Sequence, residues 1–328
     1  MFKKTYAQII DAIAQANHVL IVSHRKPDGD TIGSGLALRH YCATLGKPVT
    51  NFCIDPAAEY LHFLPDAYQL GPHNEVWESP DVDVVIVVDS GDLRYAGVAE
   101  LVTQLPSPYT LINIDHHVTN PGYGTINLVD STASSTCEIV YHLLDSVRAV
   151  DHSIATCLLT GLITDTGNLT NLATSASAVH VASKLVAKGA NLSLIGKHAL
   201  NHRPFNTLRL WGRALERLHE DPKTGMVVTV LTLQDIHECN ADDEAVSGIS
   251  NFLNGLDEAA HKAILVLTQT EPGVIKGSLR TTNPLLDVTE FAKLYGGGGH
   301  KKAAGFTMSG NLAITPTGYV VNPHPNRH

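Results

Sequence analysis

Apart from Asp83, residues Val82–Val88 are a run of β-branched apolar side chains, and the run ends in Asp89. An alternating pattern would mark a strand with one wet face. A continuous one marks a strand buried on both faces, the habit of parallel sheets. Residues 109–114 repeat the pattern and end in Asp115, and residues 18–23 give a third run that ends in His24. Helical patterns lie between and around these runs. Ile9, Ile10 and Ile13 recur at helical spacing over residues 5–17, and a second helix is expected from residue 31 to about 45, where Gly46-Lys47-Pro48 stops it. A further strand is expected over residues 49–54. Strands alternating with helices specify an α/β fold, here a parallel sheet with helices on both faces and right-handed crossovers.

Past residue 130 the pattern changes. Ser135-Thr-Cys-Glu138 has the form of a capping box for a helix through Leu144, and a helix from about 152 to 163 delivers Asp165. Two or three more helices fill 176–219. The turn Asp221-Pro-Lys-Thr-Gly225 precedes a strand over 226–233; strands near 262–270 and 274–281 and helices near 243–256 and 287–295 follow. With 328 residues, two domains are expected. The first covers residues 1–205, a linker covers about 205–225, and a smaller α+β domain covers 225–328 and ends in a Pro- and Asn-rich stretch expected to fray.

The formal net charge of −9 argues against a protein that grips long duplex nucleic acid through its backbone, which calls for a basic surface. A short anionic substrate drawn to a local cationic centre remains compatible. The five cysteines (Cys42, Cys53, Cys137, Cys157, Cys239) form no C-x-x-C pair and lie mostly in apolar context, so free buried thiols and a reducing cytoplasm are expected. Neither a cleavable signal nor an apolar run long enough for a membrane span is legible.

Chemistry concentrates at the strand ends. The turn His24-Arg-Lys-Pro-Asp28-Gly-Asp30 follows the first buried strand, and Asp89, Asp115-His116-His117 and Asp165 stand in three later loops. Each signal alone has an ordinary explanation: Pro-Asp-Gly suits a turn, and an aspartate after a strand suits a helix cap. Their joint placement, each at a strand end or helix flank, points to one site. Carboxylates and imidazoles without a thiolate suit Mn²⁺, with Mg²⁺, Co²⁺ or Zn²⁺ as competitors. Two divalent ions would balance four aspartates, whereas the same acids without metal would repel one another and raise their pKa values.

The Asp115-His116-His117 triplet, taken with His24-x-x-x-Asp28-x-Asp30, Val88-Asp89-Ser90 and Leu162-Ile-Thr-Asp165-Thr-Gly167, resembles the DHH phosphoesterase superfamily. The glycine run 296–299 with His300 and Lys301-Lys302-Ala-Ala-Gly305 resembles its DHH-associated substrate domain. Together they are similar to the NrnA-type nanoRNase/pAp phosphatases, a RecJ-like group, with the motifs in the family's order over nearly the whole chain. The resemblance implies His24 and Asp28 on one Mn²⁺, Asp30, His116 and Asp165 on another, and Asp89 bridging both. It further implies His117 beside the substrate phosphate, Asp115 orienting a histidine, and attack on phosphorus by a hydroxide activated between two ions. A homodimer is also implied.

The segment 271–305 holds Lys276, Arg280, Lys293, Lys301 and Lys302 against Glu271, Asp287 and Glu290, a local cationic excess in an acidic chain. Successive amides over Gly296–Gly299 can form an anion nest, with Gly298 and Gly299 as candidate contacts and His300 expected at a helix start, and Arg280 suits bidentate phosphate recognition. Ser278 and Arg280 resemble the family's second substrate contact. The function expected is Mn²⁺-dependent hydrolysis of short oligoribonucleotides, 3′-phosphoadenosine 5′-phosphate (pAp), or linear or cyclic dinucleotides. An inorganic pyrophosphatase, a single-strand exonuclease and a non-catalytic nucleotide-binding module are the competing readings.

Overall fold

The computed structural model describes residues 2–106, 108–171, 174–200, 204–241, 243–315 and 318–323. The chain divides into two compact units, Met1–His202 and Arg203–His328.

In the first unit, α1 (Lys3–Gln15) buries Ile9 and Ile13 and leads into β1 (His18–Val22). The next helix, α2 (Gly29–Thr44), begins two residues before the expected start. Asp28 is the reason: its carboxylate accepts from the amides of Asp30 at 3.0 Å and Thr31 at 3.1 Å, so it caps the helix. The strands β2 (Val49–Phe52), β3 (Leu70–Gly71), β4 (Val82–Val88), β5 (Thr110–Asp115) and β6 (Ile126–Val129) follow. The helices α3 (Thr136–Asp145), α4 (His152–Asp165), α5 (Ala176–Ala187) and the single turn α6 (Leu192–Ile195) follow, the last running into a π-helical turn over Gly196–Leu200.

The six strands are parallel in the order β3-β2-β1-β4-β5-β6. The chain leaves β1 toward β2, then returns to build outward from β1 on its other side. That reversal is a topological switch point, and the carboxyl ends of β1 and β4 flank the crevice such a point opens. His24 and Asp89 stand there.

Side chains alternate between two cores. Val19, Ile21, Val84, Ile86 and Val88 face the α-helices, while Leu20, Val22, Val85 and Val87 face a second layer around Trp77, Val98 and Val102. This second layer is built on 3₁₀ turns, Asn74–Glu78 and Leu101–Gln104. Both faces are covered, which is why the strands read as continuous apolar runs.

Helices α2 and α4 approach each other closely because glycines face the contact. A β-carbon on Gly33 would lie 2.5 Å from the Cys157 carbonyl oxygen, and one on Gly161 would lie 2.8 Å from that of Gly29 and 2.3 Å from the Cys137 sulfur. No side chain fits there. The contact brings the first turn of α2, with Asp30, beside the last residue of α4, Asp165.

In the second unit α7 (Phe205–Glu216), β7 (His219–Glu220), β8 (Val227–Leu231), α8 (Leu233–Cys239) and α9 (Asp243–Leu253) precede the hairpin β9 (Ile264–Glu271) and β10 (Val274–Arg280). Then come α10 (Val288–Lys293), β11 (Gly298–His300), β12 (Ala303–Thr315) and β13 (Gly318–Pro323). The mixed sheet runs β11-β12-β10-β9-β8-β7, with β13 on the distal half of β12. Part of the tail expected to fray is therefore a paired strand; residues 324–328 lie outside the described residues. Asp235, buried on α8, accepts from Arg217 at 2.5 and 2.9 Å and from Arg213 at 2.8 Å, which ties α7 to α8.

Candidate metal centre

Each acid and imidazole at the strand ends is aimed by backbone before any ion is considered. Asp89 takes a left-handed conformation (φ 56°), sparsely populated by residues with a side chain, and its amide still donates to the Ile114 carbonyl at 2.9 Å. The bend ends the strand and turns the buried carboxylate into the crevice. The His24 amide donates to the Thr31 hydroxyl at 3.3 Å, and that hydroxyl donates to the Val88 carbonyl at 3.3 Å. One threonine thus joins the end of β1, the start of α2 and the end of β4.

The side chains converge in three overlapping groups. His24, Asp28 and Asp89 form one; Asp30, His116 and Asp165 a second; Asp89, His116 and His117 a third, and within each the ligand atoms lie within 4.8 Å of one another. His24 Nε2 is 3.6 Å from Asp28 and 3.5 Å from Asp89; His116 Nε2 is 3.6 Å from Asp89 and 3.8 Å from Asp165. Those separations exceed ordinary hydrogen bonds. They approach the edge length of a coordination shell, about 3.4 Å for a tetrahedron with metal–ligand bonds of about 2.1 Å. His24, Asp28, Asp30, Asp89, His116 and Asp165 could hold two ions, with Asp89 and His116 each shared between groups.

Electrostatics agree with that fit. Burial, then the charges of Asp89, Asp165 and Asp28, push the Asp30 carboxyl well above its ordinary value. Burial likewise raises Asp165, to about 6, against the pull of His116 and with Asp89 adding to the rise. For His24 burial favours the neutral ring, but Asp28 and Asp89 outweigh it and raise the imidazole to about 11. Without cations the cluster holds protons where it lacks positive charge, and divalent ions would take their place. The His24 Nδ1 lies 2.7 Å from the Arg25 carbonyl; donating there leaves Nε2 toward Asp28 and Asp89.

Asp115 is fully buried at the end of β5 and lies outside these groups. Its carboxylate accepts from His117 Nδ1 at 2.7 Å and from Asn120 Nδ2 at 2.6 Å. Burial raises its carboxyl, but these two hydrogen bonds prevail and hold it below the ordinary range. In return the Asp115 hydrogen bond raises the His117 pKa against burial. His117 is half-exposed, so Asp115 fixes a ring whose other nitrogen is free to meet a ligand.

Two contributors escaped the sequence reading. Thr136 donates through its hydroxyl to Asp89 Oδ1 at 2.9 Å, while the amides of Thr136 and Cys137 donate to the two Asp30 oxygens at 2.6 and 2.9 Å. Asn120, from the loop after the histidine pair, fixes Asp115. The only signal for Thr136 was its place in the capping sequence. There Ser135 Oγ accepts from the Glu138 amide at 3.1 Å and Glu138 accepts from the Ser134 amide at 2.8 Å, one residue earlier than a capping box requires.

In the second unit Ser278, Arg280, Gly298 and His300 share one sheet face, and Gly299 takes the alternate position of its strand. Gly305 on β12 pairs with both Ser278 and Gly298, and Ala303 pairs with both Arg280 and His300, so Arg280 and His300 lie in one row two strands apart. The helix start expected at His300 is instead the edge strand β11, so no helix dipole acts there. The glycines serve close approach: a β-carbon on Gly297 would lie 2.2 Å from the Gly305 carbonyl oxygen, and one on Gly299 (φ 142°) would lie 2.7 Å from the Ala304 α-carbon. Arg280 is held by Asn251 Oδ1 at 3.3 Å and the Leu279 carbonyl at 3.0 Å. Lys302, counted above among the cations, donates to the carbonyls of Asn283 and Leu286 and has a structural task.

A family model described as the DHH family, N-terminal domain, matches residues 18–162, and one described as the DHHA1 domain matches residues 224–314. The bifunctional oligoribonuclease and PAP phosphatase NrnA of Thermus thermophilus is 31% identical over 308 residues, 93% of this chain and 87% of that protein. The cyclic-di-AMP phosphodiesterase PdeA of Listeria monocytogenes is 26% identical over 66% of this chain and 36% of its own length. The crystal structure of an exopolyphosphatase-related protein from Bacteroides fragilis shares the fold, with a TM-score of 0.82 at 24% identity over 93% of this chain and 91% of its own. No described helix is long and apolar enough to cross a membrane.

Proposed function

The chain belongs to the DHH family of phosphoesterases, and from that premise we propose that it is a Mn²⁺-dependent hydrolase of short oligoribonucleotides and pAp, with linear or cyclic dinucleotides in the same substrate class. The observation that carries the reading is the convergence of His24, Asp28, Asp30, Asp89, His116 and Asp165 into overlapping groups at the switch point. His24 and Asp28 are assigned to one ion, Asp30, His116 and Asp165 to the other, and Asp89 to both. Oxygen and nitrogen donors without thiolate favour Mn²⁺. Ions held there would supply Lewis-acid polarisation of a phosphoryl group and a nucleophile at neutral pH.

The remaining steps fall to the protein's own groups. Asp115 holds the His117 ring by Nδ1 and favours its protonated form, so that Nε2 can donate to a phosphoryl oxygen as charge builds there. Thr136 and the amides at the start of α3 keep Asp89 and Asp30 from turning toward other partners. Ser278, Arg280, Gly298, Gly299 and His300 are assigned to a distal phosphate or base, supported by the row that Arg280 and His300 share and by the amide-rich edge strand. Residues 1–205 would form the catalytic domain and 225–328 the substrate domain, the length of the linker between them being part of the proposal.

Five free buried cysteines fit a cytoplasmic enzyme, and the family resemblance supports a homodimer. The test is a chelator-stripped protein reloaded with Mn²⁺ and offered di- to pentaribonucleotides, pAp, a cyclic dinucleotide and pyrophosphate. Turnover of the short nucleotides that disappears on chelation and returns with Mn²⁺ is expected. Turnover of pyrophosphate alone would replace this reading by the pyrophosphatase one, and no turnover with bound nucleotide by the non-catalytic one.

A further inference from the structure

One aromatic ring borders the candidate metal centre without contributing a ligand atom. The Tyr95 ring lies with its centroid 5.1 Å from that of His24, tilted 35°, yet the residue is 53% exposed. A tyrosine retained only to pack against the histidine would gain by burying its open surface.

The loop that carries it is fixed rather than loose. The Asp92 carboxylate accepts from the amides of Arg94 and Tyr95, both at 2.7 Å, and the Asp92 carbonyl accepts from the Ser90 hydroxyl at 2.8 Å. Backbone bonds from Ala96 to Asp92, Gly97 to Arg94 and Val98 to Leu93 close the turn, with Ala96 and Val98 fully buried beneath it. The Arg25 side chain lies against Gly97, where a β-carbon would come 2.5 Å from Nε. A rigid loop therefore presents an aromatic ring to solvent directly beside His24, one of the groups assigned to the ions, with the exposed Arg25 next to it.

We propose that Tyr95 is a stacking platform for the nucleobase of the nucleotide whose phosphate sits at the metal centre, a specificity-determining residue that selects nucleotides over base-free phosphate esters. The proposal rests on the phosphoesterase reading above. An aromatic ring without hydrogen-bond readout accepts any base, because every base has a π-face. The site is therefore tolerant of sequence but not of the loss of the base.

Binding and turnover separate the outcomes. Mn²⁺-loaded wild type, Tyr95→Ala, Tyr95→Phe and Tyr95→Trp are titrated calorimetrically with adenosine 5′-monophosphate, uridine 5′-monophosphate and ribose 5-phosphate, and assayed on a diribonucleotide. Tyr95→Ala is expected to weaken both nucleotides about 10- to 100-fold, the range of a lost base–aromatic stack, with ribose 5-phosphate binding as before. The kinetic loss should fall on KM rather than kcat, and Phe and Trp should restore it. An equal loss for ribose 5-phosphate would overturn the platform in favour of simple support of His24, as would unchanged binding of all three ligands. Wild type that distinguishes nucleotides from ribose 5-phosphate but cleaves no nucleotide would overturn the hydrolase reading and leave the platform standing.

Discussion

The hydroxyl of Thr136 donates to Asp89 Oδ1 at 2.9 Å, and the amide of the same residue donates to Asp30 at 2.6 Å. One residue at the start of α3 thus holds two acids, one from the end of β4 and one from the first turn of α2, 47 and 106 positions away. The helix N-terminus also favours the negative charge it receives. Thr136 is a positioning residue: it holds the acids assigned to the ions.

Thr136→Val keeps the amide and the shape but removes the hydroxyl. Affinity for Mn²⁺ should fall about 10- to 100-fold, the usual effect of losing an outer partner of a metal ligand. Metal titration followed by calorimetry checks this, with circular dichroism to show the fold intact. Thr136→Ser should recover most of the loss.

Asp89→Asn leaves size nearly unchanged and one oxygen to accept from Thr136, while removing the charge shared by two of the ligand groups. Mn²⁺-dependent turnover should drop by more than about 100-fold, beyond what an outer partner costs. Steady-state kinetics on pAp supply the measurement. Intact turnover would show that the bridging assignment is wrong.

Gly161→Ala tests whether the α2–α4 contact sets the site. The added carbon would meet the Gly29 carbonyl oxygen at 2.8 Å and the Asp30 α-carbon at 2.9 Å, both backbone, so the helices must move apart. Stability should fall by about 1–3 kcal/mol on chemical denaturation. Mn²⁺ affinity should fall with it, because Asp30 and Asp165 belong to opposite helices. Lost stability with unaltered affinity would show that the site tolerates the shift.

Arg280→Lys keeps the charge but replaces a planar fork by a point charge. KM for pAp should rise about 10-fold, with the change read from initial rates, if Arg280 grips a phosphate through two hydrogen bonds.

Asp235 links stability to pH. Burial raises its carboxyl, but hydrogen bonds from Arg217, Arg213 and Thr232 prevail and hold it far below the ordinary range. Its folded pKa lies below the unfolded value of about 3.9, so its contribution is complete above that value and is lost as the pH falls toward the folded one. Unfolding of the second unit, followed by Trp211 fluorescence, should therefore become easier below about pH 4. Asp235→Asn should be less stable at neutral pH and lose less on acidification.

What the sequence determined by itself was the central sheet and the residue types of the site. Continuous β-branched runs encode strands buried on both faces whatever surrounds them, so the residues 18–23, 82–88 and 109–114 were legible as parallel strands. So was the concentration of acids and histidines at their ends. The edge elements were not: β3 has two residues, and in the long β12 the alternating Phe306, Met308, Leu312 and Ile314 are diluted by Ala, Gly and polar residues that weaken any strand signature. They pair because a neighbouring backbone offers its hydrogen bonds.

Only the tertiary structure decided how the site closes. The left-handed bend at Asp89, the glycine contact that sets Asp30 beside Asp165, and the reach of Thr136 to both Asp89 and Asp30 depend on backbone approach between segments far apart in sequence. The same is true of Tyr95, an ordinary loop tyrosine until the fold lays it against His24. Composition and periodicity report what each segment buries. Which carboxylate faces which imidazole is a relation between segments, and packing supplies it.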